Sequence, residues 1–315
     1  MKALQITRAG QYRIIEQAIP EVKNNEILVK IEIVSTCPRW DINMMAGKDM
    51  FDYSRSPEYP LPPGFPGHET AGFVHAIGSD VSGFAVGDRV AALEHIPHTG
   101  SYMEYMCYKE HELLRLPDQV TFEQAVSFEL VKCVMIGMSQ FADMRGKRVV
   151  ISGLGPAGIL AMQLAAIWGA SEVVGLDVNE KRIEYVRQLK IGEVQHVDKL
   201  GDRRFDYGYD CVGLAQSVNN LLRQVDEHVV IFGVLRGTVQ FEERLWLKGM
   251  RLEAYQYRPF TARDRELLID AVAHKGLNTA CIQTHCLPLS QYDQAIHLLN
   301  NQEAIKVYFY PGKEW

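Results

Sequence analysis

Two groups of residues in this 315-residue chain have types and spacing suited to chemistry. The first is Gly153-Leu154-Gly155-Pro156-Ala157-Gly158. Val149 to Ser152 reads as a strand leading into it, and a helix opens at Pro156, where a missing N–H costs nothing because first-turn donors lack partners anyway. Gly153 permits the tight turn, Gly155 lets the backbone approach a pyrophosphate, and Gly158 lets the helix pack close to the strand. The helix N-terminus offers free N–H groups and a partial positive charge to the phosphates. A second strand ends at Asp177, 24 positions after Gly153. A carboxylate there can accept hydrogen bonds from both ribose hydroxyls and repels a 2′-phosphate, which favours NAD(H) over NADP(H). Lys181 and Arg182 follow shortly and act the other way. The alternative is a glycine turn in some other α/β protein, and the strand–loop–helix–strand context weighs against it.

The second group is Cys37, His68, Glu69 and Glu129. Cys37 ends an expected strand, Gly67-His68-Glu69 follows a loop dense in proline, and Glu129 stands where the chain changes character. A thiolate, an imidazole and a carboxylate from separate elements form a reasonable catalytic zinc set with one position open. Such a metal acts as a Lewis acid on an alcohol or carbonyl oxygen. From spacing alone the competing reading stands beside it: Cys37 as a small buried hydrophobe and His68 as a satisfied loop histidine.

The elements that must position these residues differ between the two parts of the chain. Residues 26–34 alternate from Val29 to Ile33 with the period of a half-buried strand. Gly and Pro punctuate the rest of the first third, most densely from Pro57 to Gly67. From Arg148 onward, short apolar runs at 149–151, 173–176, 209–212 and 229–232 alternate with helical stretches. That alternation indicates a parallel sheet covered by helices on both faces. The tail holds helical stretches at 264–274 and 291–300 and a closing strand at 305–310.

Composition narrows the class. Apolar residues make up 47% and charged residues 23%, with a formal net charge of −6. No basic stripe offsets that charge, so neither a nucleic-acid nor a membrane partner is expected. The N-terminus lacks an apolar signal core and no run reaches membrane-spanning length, so a cytoplasmic protein is the expectation. Cys37, Cys107, Cys133, Cys211, Cys281 and Cys286 contain no C-x-x-C pair. Neither a disulfide framework nor a four-cysteine structural zinc knot is expected from them.

Taken together, Cys37, Gly67-His68-Glu69 running on to Gly72, Gly87-Asp88-Arg89-Val90, the glycine loop, Asp177 and Asp210-Cys211-Val212-Gly213 resemble the medium-chain dehydrogenase/reductase family. The branch resembled is that of zinc-type alcohol and polyol dehydrogenases, and the resemblance spans essentially the whole chain. It implies an α/β protein: a GroES-like β-barrel catalytic domain over residues 1–130 and 258–315, and a Rossmann doubly wound parallel sheet over 131–257. It implies that Cys37 and His68 bind one catalytic zinc, with Glu69 as ligand or near-ligand. Glu129 matches the polyol-dehydrogenase form of the next ligand, and Cys133, one helical turn later, is the runner-up that the resemblance turns toward the nicotinamide. Gly153, Gly155, Pro156, Ala157, Gly158, Asp177, Val212 and Gly213 are the cofactor-binding candidates. Lys306 matches a position where relatives place a basic residue on the pyrophosphate, and a solvated terminal lysine is the other reading of it. Relatives commonly pair through the last Rossmann strand, here 251–257, so a homo-oligomer, dimer or tetramer, is expected.

Three departures stand out. The four-cysteine structural zinc lobe is missing, and His95 and His98 in the short connection read as exposed loop residues. Arg39 stands where relatives carry a Ser or Thr that starts a proton relay, and Ile42 and Asn43 occupy the neighbourhood of the relay histidine. Arg39 has two readings: a surface charge balancing Asp41, or an active-site group that binds an anionic substrate or the pyrophosphate. Trp40, Phe51, Tyr53 and Tyr59 have two readings, the lining of a substrate cleft or anchors for their loop, and they are given no site role. The leading expectation is hydride transfer between an alcohol or polyol, or its carbonyl product, and NAD(H), with zinc. The alternatives are a zinc-free quinone-reductase type of NAD(P)H oxidoreductase and a catalytically silent dinucleotide-binding protein.

Overall fold

A computed structural model describes residues 1–94 and 99–313. His95 and His98 lie outside the described residues. The chain divides into two units, Met1–Leu130 with Thr279–Trp315, and Val131–Asn278. The return to the first unit thus comes at 279, not at the 258 expected from sequence. The segment after 257 is tied to the second unit: Gln163 Nε2 donates to the Asn278 carbonyl and Asn278 N–H donates back to Gln163 Oε1.

The first unit opens with a hairpin of strands β1 (Lys2–Arg8) and β2 (Gln11–Glu16). Strand β3 (Ile27–Ser35) follows, then helix α1 (Pro38–Met45), then β4 (Glu69–Ile77), β5 (Arg89–Ala92), β6 (Tyr105–Tyr108) and β7 (Leu113–Arg115). Helix α2 (Phe122–Ala125) is capped by Thr121, and α3 (Phe128–Met138) carries the chain into the second unit.

In the second unit come β8 (Arg148–Ser152), α4 (Pro156–Ile167), β9 (Glu172–Asp177), α5 (Glu180–Leu189), β10 (Glu193–His196), β11 (Phe205–Asp210), α6 (Ala215–Gln224), β12 (Val225–Ile231), α7 (Glu243–Leu247), β13 (Arg251–Ala254) and α8 (Ala262–Ala273). The strands pair in the order β10-β9-β8-β11-β12-β13 and all run parallel. The order reverses between β8 and β11, and ligands of such sheets bind beyond the carboxyl ends of the strands at that switch point. The core is aliphatic, built on Val150, Val174, Leu221, Val225 and Val229. Helix α4 is buried over most of its circumference, from Gly158 to Ala165, as its nearly unbroken apolar sequence requires.

The chain returns to the first unit with β14 (Gln283–Cys286), α9 (Tyr292–Asn300) and β15 (Lys306–Phe309). The sheet of this unit runs β14-β15-β3-β4-β5-β7, with β6 paired to β3. Strand β3 is antiparallel to both β4 and β15, and its register shifts twice against β4, between Leu28 and Val29 and between Ile31 and Ile33. Such irregularities bend a strand and raise its twist, which lets one strand serve several neighbours in a curled sheet. Among the described residues no helix is long and apolar enough to cross a membrane.

Candidate metal and dinucleotide sites

The pairing of β3 with its neighbours assembles one cluster from distant parts of the sequence. Ser35 stands opposite Glu69 in the antiparallel β3–β4 ladder. The end of β3 therefore meets the start of β4, and Cys37, just past Ser35, lies beside His68 and Glu69. The β15 ladder sets Tyr308 opposite Ser35, so Lys306 arrives on the other flank. The Thr36 N–H donates to the Val307 carbonyl and locks that junction.

One potential ligand atom from each of Cys37, His68 and Glu69 lies within 4.8 Å of the others. His68 and Glu69 are buried. His68 Nδ1 is 2.9 Å from the Pro66 carbonyl, which fixes it as the protonated nitrogen and leaves Nε2 as a lone-pair donor. Glu129, in the first turn of α3, places Oε2 3.9 Å from His68 Nε2. Cys133 is half-buried on the same helix, in the second unit. Burial alone would depress the His68 pKa. The Cys37 hydrogen bond and the charges of Cys37, Glu129 and Glu69 outweigh it and push the pKa up to about 10.

Glu69 shows what the cluster is suited to hold. One oxygen, Oε1, accepts from the Lys306 ammonium, and both side chains are almost wholly buried. The other, Oε2, is buried and has no hydrogen-bond partner among the described residues. A buried carboxylate oxygen left unpaired is costly, and a bound cation is one way to satisfy it. With Cys37 as thiolate and His68 neutral, as a metal would hold them, the two carboxylates and the Lys306 ammonium leave two negative charges, which one divalent cation neutralises. The donor set of sulfur, imidazole nitrogen and carboxylate oxygen suits zinc.

Lys306 departs from both sequence readings. It is not solvated, and its ammonium is turned inward onto Glu69 rather than offered to a cofactor phosphate. The partner lies 237 positions away in sequence, which is why no local pattern announced it.

Helix α1 follows Cys37 directly, and its residues serve different ends. Asp41 is fully buried. Its Oδ2 accepts the Cys37 N–H at 2.7 Å, and its Oδ1 accepts the hydroxyls of Tyr102 and Tyr292, each at 2.6 Å. Asp41, Tyr102 and Tyr292 were not singled out from sequence. Asp41 offered one signal: four residues after a strand-ending Cys, it lies one helical turn along and can reach the N-terminal amide. Arg39 therefore does not balance Asp41, which has its own partners. Its guanidinium is exposed and donates, through Nη1, to the Tyr53 hydroxyl at 3.5 Å. Trp40 packs edge-on against the His68 ring at 4.9 Å and against Phe51 and Phe65. Tyr59 donates to the Met44 carbonyl, the loop-anchoring one of its two readings.

The glycine loop joins β8 to α4. Gly153 has φ +92°, in the region that disfavours side chains. A Cβ on Gly158 would sit 1.8 Å from the Gly153 carbonyl oxygen, so only glycine allows the helix this close. Gly155 differs: a Cβ there meets nothing within 4 Å, and the space before the helix N-terminus is open. No side chain caps this end, and Pro156 takes the first helical position beside Ala157. At the end of β9, Asp177 Oδ2 accepts the Leu154 N–H at 2.7 Å, and Oδ1 accepts the N–H groups of Val178 and Asn179 at 2.7 and 2.9 Å. A carboxylate offers about four acceptor sites. Three are taken by backbone, so Asp177 has room for one further donor, not the two ribose hydroxyls expected. Past β11, Val212 touches the loop through the space beside Gly153, and the Gly213 N–H is held by Asp210 Oδ2 at 2.8 Å.

Known proteins match both units. The profile of the alcohol dehydrogenase GroES-like domain covers residues 23–118, and that of the zinc-binding dehydrogenases covers 156–264. The chain belongs to the zinc-type alcohol and polyol dehydrogenase branch of the medium-chain dehydrogenase/reductase family. As a member it is a dehydrogenase-type oxidoreductase with a GroES-like unit and a Rossmann unit. Among curated members, an L-threonine 3-dehydrogenase of Legionella pneumophila is 25% identical, over 92% of this chain and 93% of its own. One from Pseudoalteromonas atlantica is 26% identical, over 93% and 94%. Two solved structures share the fold. The 2R,3R-butanediol dehydrogenase of Bacillus subtilis aligns with a TM-score of 0.85 at 16% identity, over 98% of this chain and 99% of its own. The galactitol-1-phosphate dehydrogenase of Escherichia coli aligns at 0.84 and 20%, over 99% and 100%.

Proposed function

We propose that this medium-chain dehydrogenase oxidises an alcohol or polyol, or reduces its carbonyl product, with a bound zinc ion and NAD(H). The observation that carries the reading is the Cys37–His68–Glu69 cluster, half-buried at Cys37 and buried at the other two, with its unpartnered Glu69 oxygen. Cys37, His68 and a carboxylate from Glu69 or Glu129 would hold the metal. When bound, zinc supplies Lewis acidity to a substrate oxygen and lowers the pKa of a coordinated hydroxyl.

The chain's own residues prepare that site. The Pro66 carbonyl sets the His68 tautomer, and Asp41 fixes the backbone of Cys37. Trp40, packed on His68, shields one side of the imidazole from water. On the second unit the amides at the start of α4 would bind the pyrophosphate, over the open space at Gly155. Asp177 would accept one ribose hydroxyl, and its charge opposes a 2′-phosphate. With Arg39, Ile42 and Asn43 at these positions, the proton would leave by a route other than the Ser/Thr–His relay that the family resemblance implies. The relatives are named for the dehydrogenation of threonine, butanediol and a galactitol phosphate, which fits a hydroxyl-bearing substrate. The clustering of Cys37, His68 and Glu69 weighs against the zinc-free reading. We place the protein in the cytoplasm, as a homo-oligomer paired through the edge strand β13.

Fluorescence titration with NADH and NADPH tests the cofactor, and turnover of a panel of alcohols and polyols with NAD tests the reaction. Tighter NADH binding and turnover are expected. Tighter NADPH binding would remove the Asp177 argument.

A further inference from the structure

The substrate itself is open to a structural argument, which rests on the dehydrogenase reading above. Near the metal-type cluster the charged side chains are largely committed to one another. Lys306 is spent on Glu69, and Asp41 on Cys37 and two tyrosines. Arg39 is the exception. It lies two positions after Cys37, in the first turn of α1, and its guanidinium is exposed. Among the described residues it has no carboxylate partner, only the Tyr53 hydroxyl at 3.5 Å.

That hydroxyl also accepts from Asn43 Nδ2 at 3.4 Å, and Asn43 is buried one turn along the same helix. The guanidinium is thus held by a side chain that is itself held, instead of sweeping through solvent. The same turn of helix lays Trp40 on His68 and brings exposed Phe51 against Trp40. An arginine held by Tyr53, two positions after Cys37 on the helix that lays Trp40 on His68, carries the chemistry of oxyanion recognition: a planar fork of donors matched to carboxylate or phosphate.

We propose that Arg39, oriented by Tyr53, is a specificity residue that binds an anionic group on the substrate. The substrate class is then a hydroxyl-bearing carboxylate or phosphate ester, with the anion on Arg39 and the reacting hydroxyl toward Cys37 and His68.

The test compares neutral three- to six-carbon polyols with their phosphate esters and their sugar-acid counterparts, using the zinc-loaded enzyme and NAD. Wild type should prefer one of the two anionic sets, and which one it prefers identifies carboxylate or phosphate as the anion. Arg39→Met should lower the ratio of kcat/KM for anionic over neutral substrates about 10- to 100-fold. Arg39→Lys should fall between, because a point charge replaces the fork. Tyr53→Phe should lower the ratio by a smaller factor. Calorimetric titration of wild type and Arg39→Met with a sugar acid and a polyol phosphate measures binding without turnover. No turnover of any substrate would sink the dehydrogenase reading, and the titration would still decide the role of Arg39. Three results would overturn the proposal. The first is a wild type that prefers neutral polyols or binds neither anion. The second is a ratio that moves less than about twofold in Arg39→Met. The third is an Arg39→Met variant whose only loss is in NADH affinity, which would assign the arginine to the pyrophosphate.

Discussion

The two oxygens of Glu69 sit in opposite circumstances, one against the Lys306 ammonium and the other buried without a partner. That asymmetry makes the Lys306–Glu69 pair a test of what the cluster is for. Removing one member of a buried ion pair leaves an uncompensated charge and costs about 3–5 kcal/mol. Lys306→Met should therefore destabilise the metal-free protein on that scale in urea unfolding. Zinc should recover part of the loss, because a cation on Glu69 supplies the missing positive charge. Equal losses with and without zinc would mean that Glu69 does not face the metal. At this scale the sequence was partly legible. Cys37, His68 and Glu69 were visible through their motif, but nothing local distinguished a lysine on the pyrophosphate from a lysine on Glu69. Arg39 and Asp41 looked like partners because they are near in sequence, yet Asp41 points back to the Cys37 amide, where a helix leaves donors unpaired.

The β8–loop–α4 element was the most legible stretch, because each glycine answers to a short-range constraint. The structure separates their roles in a way that mutation can check. A methyl on Gly158 collides with the Gly153 carbonyl, whereas a methyl on Gly155 meets no protein atom and φ there is an ordinary −77°. Gly158→Ala should lower thermal stability, by about 1–3 kcal/mol for an overpacked contact. Gly155→Ala should keep wild-type stability and lose NADH affinity, because the space it fills is the space proposed for the pyrophosphate. Loss of stability in Gly155→Ala, or unchanged NADH binding, would contradict the assignment. Other elements were less readable. Strands β11 and β12 begin four residues before their apolar runs, at Phe205 and Val225, since Asp206 in one and Asp226, Glu227 and His228 in the other break the apolar pattern after the first residue. Strand β10 is an edge strand of polar sequence, Glu-Val-Gln-His, with no apolar run to mark it. The β3–β4 and β3–β15 registers that build the cluster are long-range pairings, and no window of sequence contains both partners.

For the whole molecule, metal, proton and stability are linked through His68. Its pKa is raised in the folded state, from an ordinary 6.5 to about 10. A raised pKa contributes stability that is fully present below about pH 6.5 and is lost as pH rises through about 10. Metal-free protein should therefore lose thermal stability across that window. A metal takes the same Nε2 lone pair, so zinc should displace the proton and flatten the pH dependence. Zinc added at pH 8 in weak buffer should release protons, and the part that comes from His68 should vanish above pH 10. A pH-independent melting temperature in the metal-free protein would contradict this.

The most direct measurement is the metal content of protein purified without chelator, in wild type and in Cys37→Ser. Wild type should hold about one zinc per chain, consistent with a single catalytic site, and Cys37→Ser should lose it with NADH affinity retained. A wild type without zinc, or a Cys37→Ser variant that keeps it, would rule out a catalytic zinc held by Cys37.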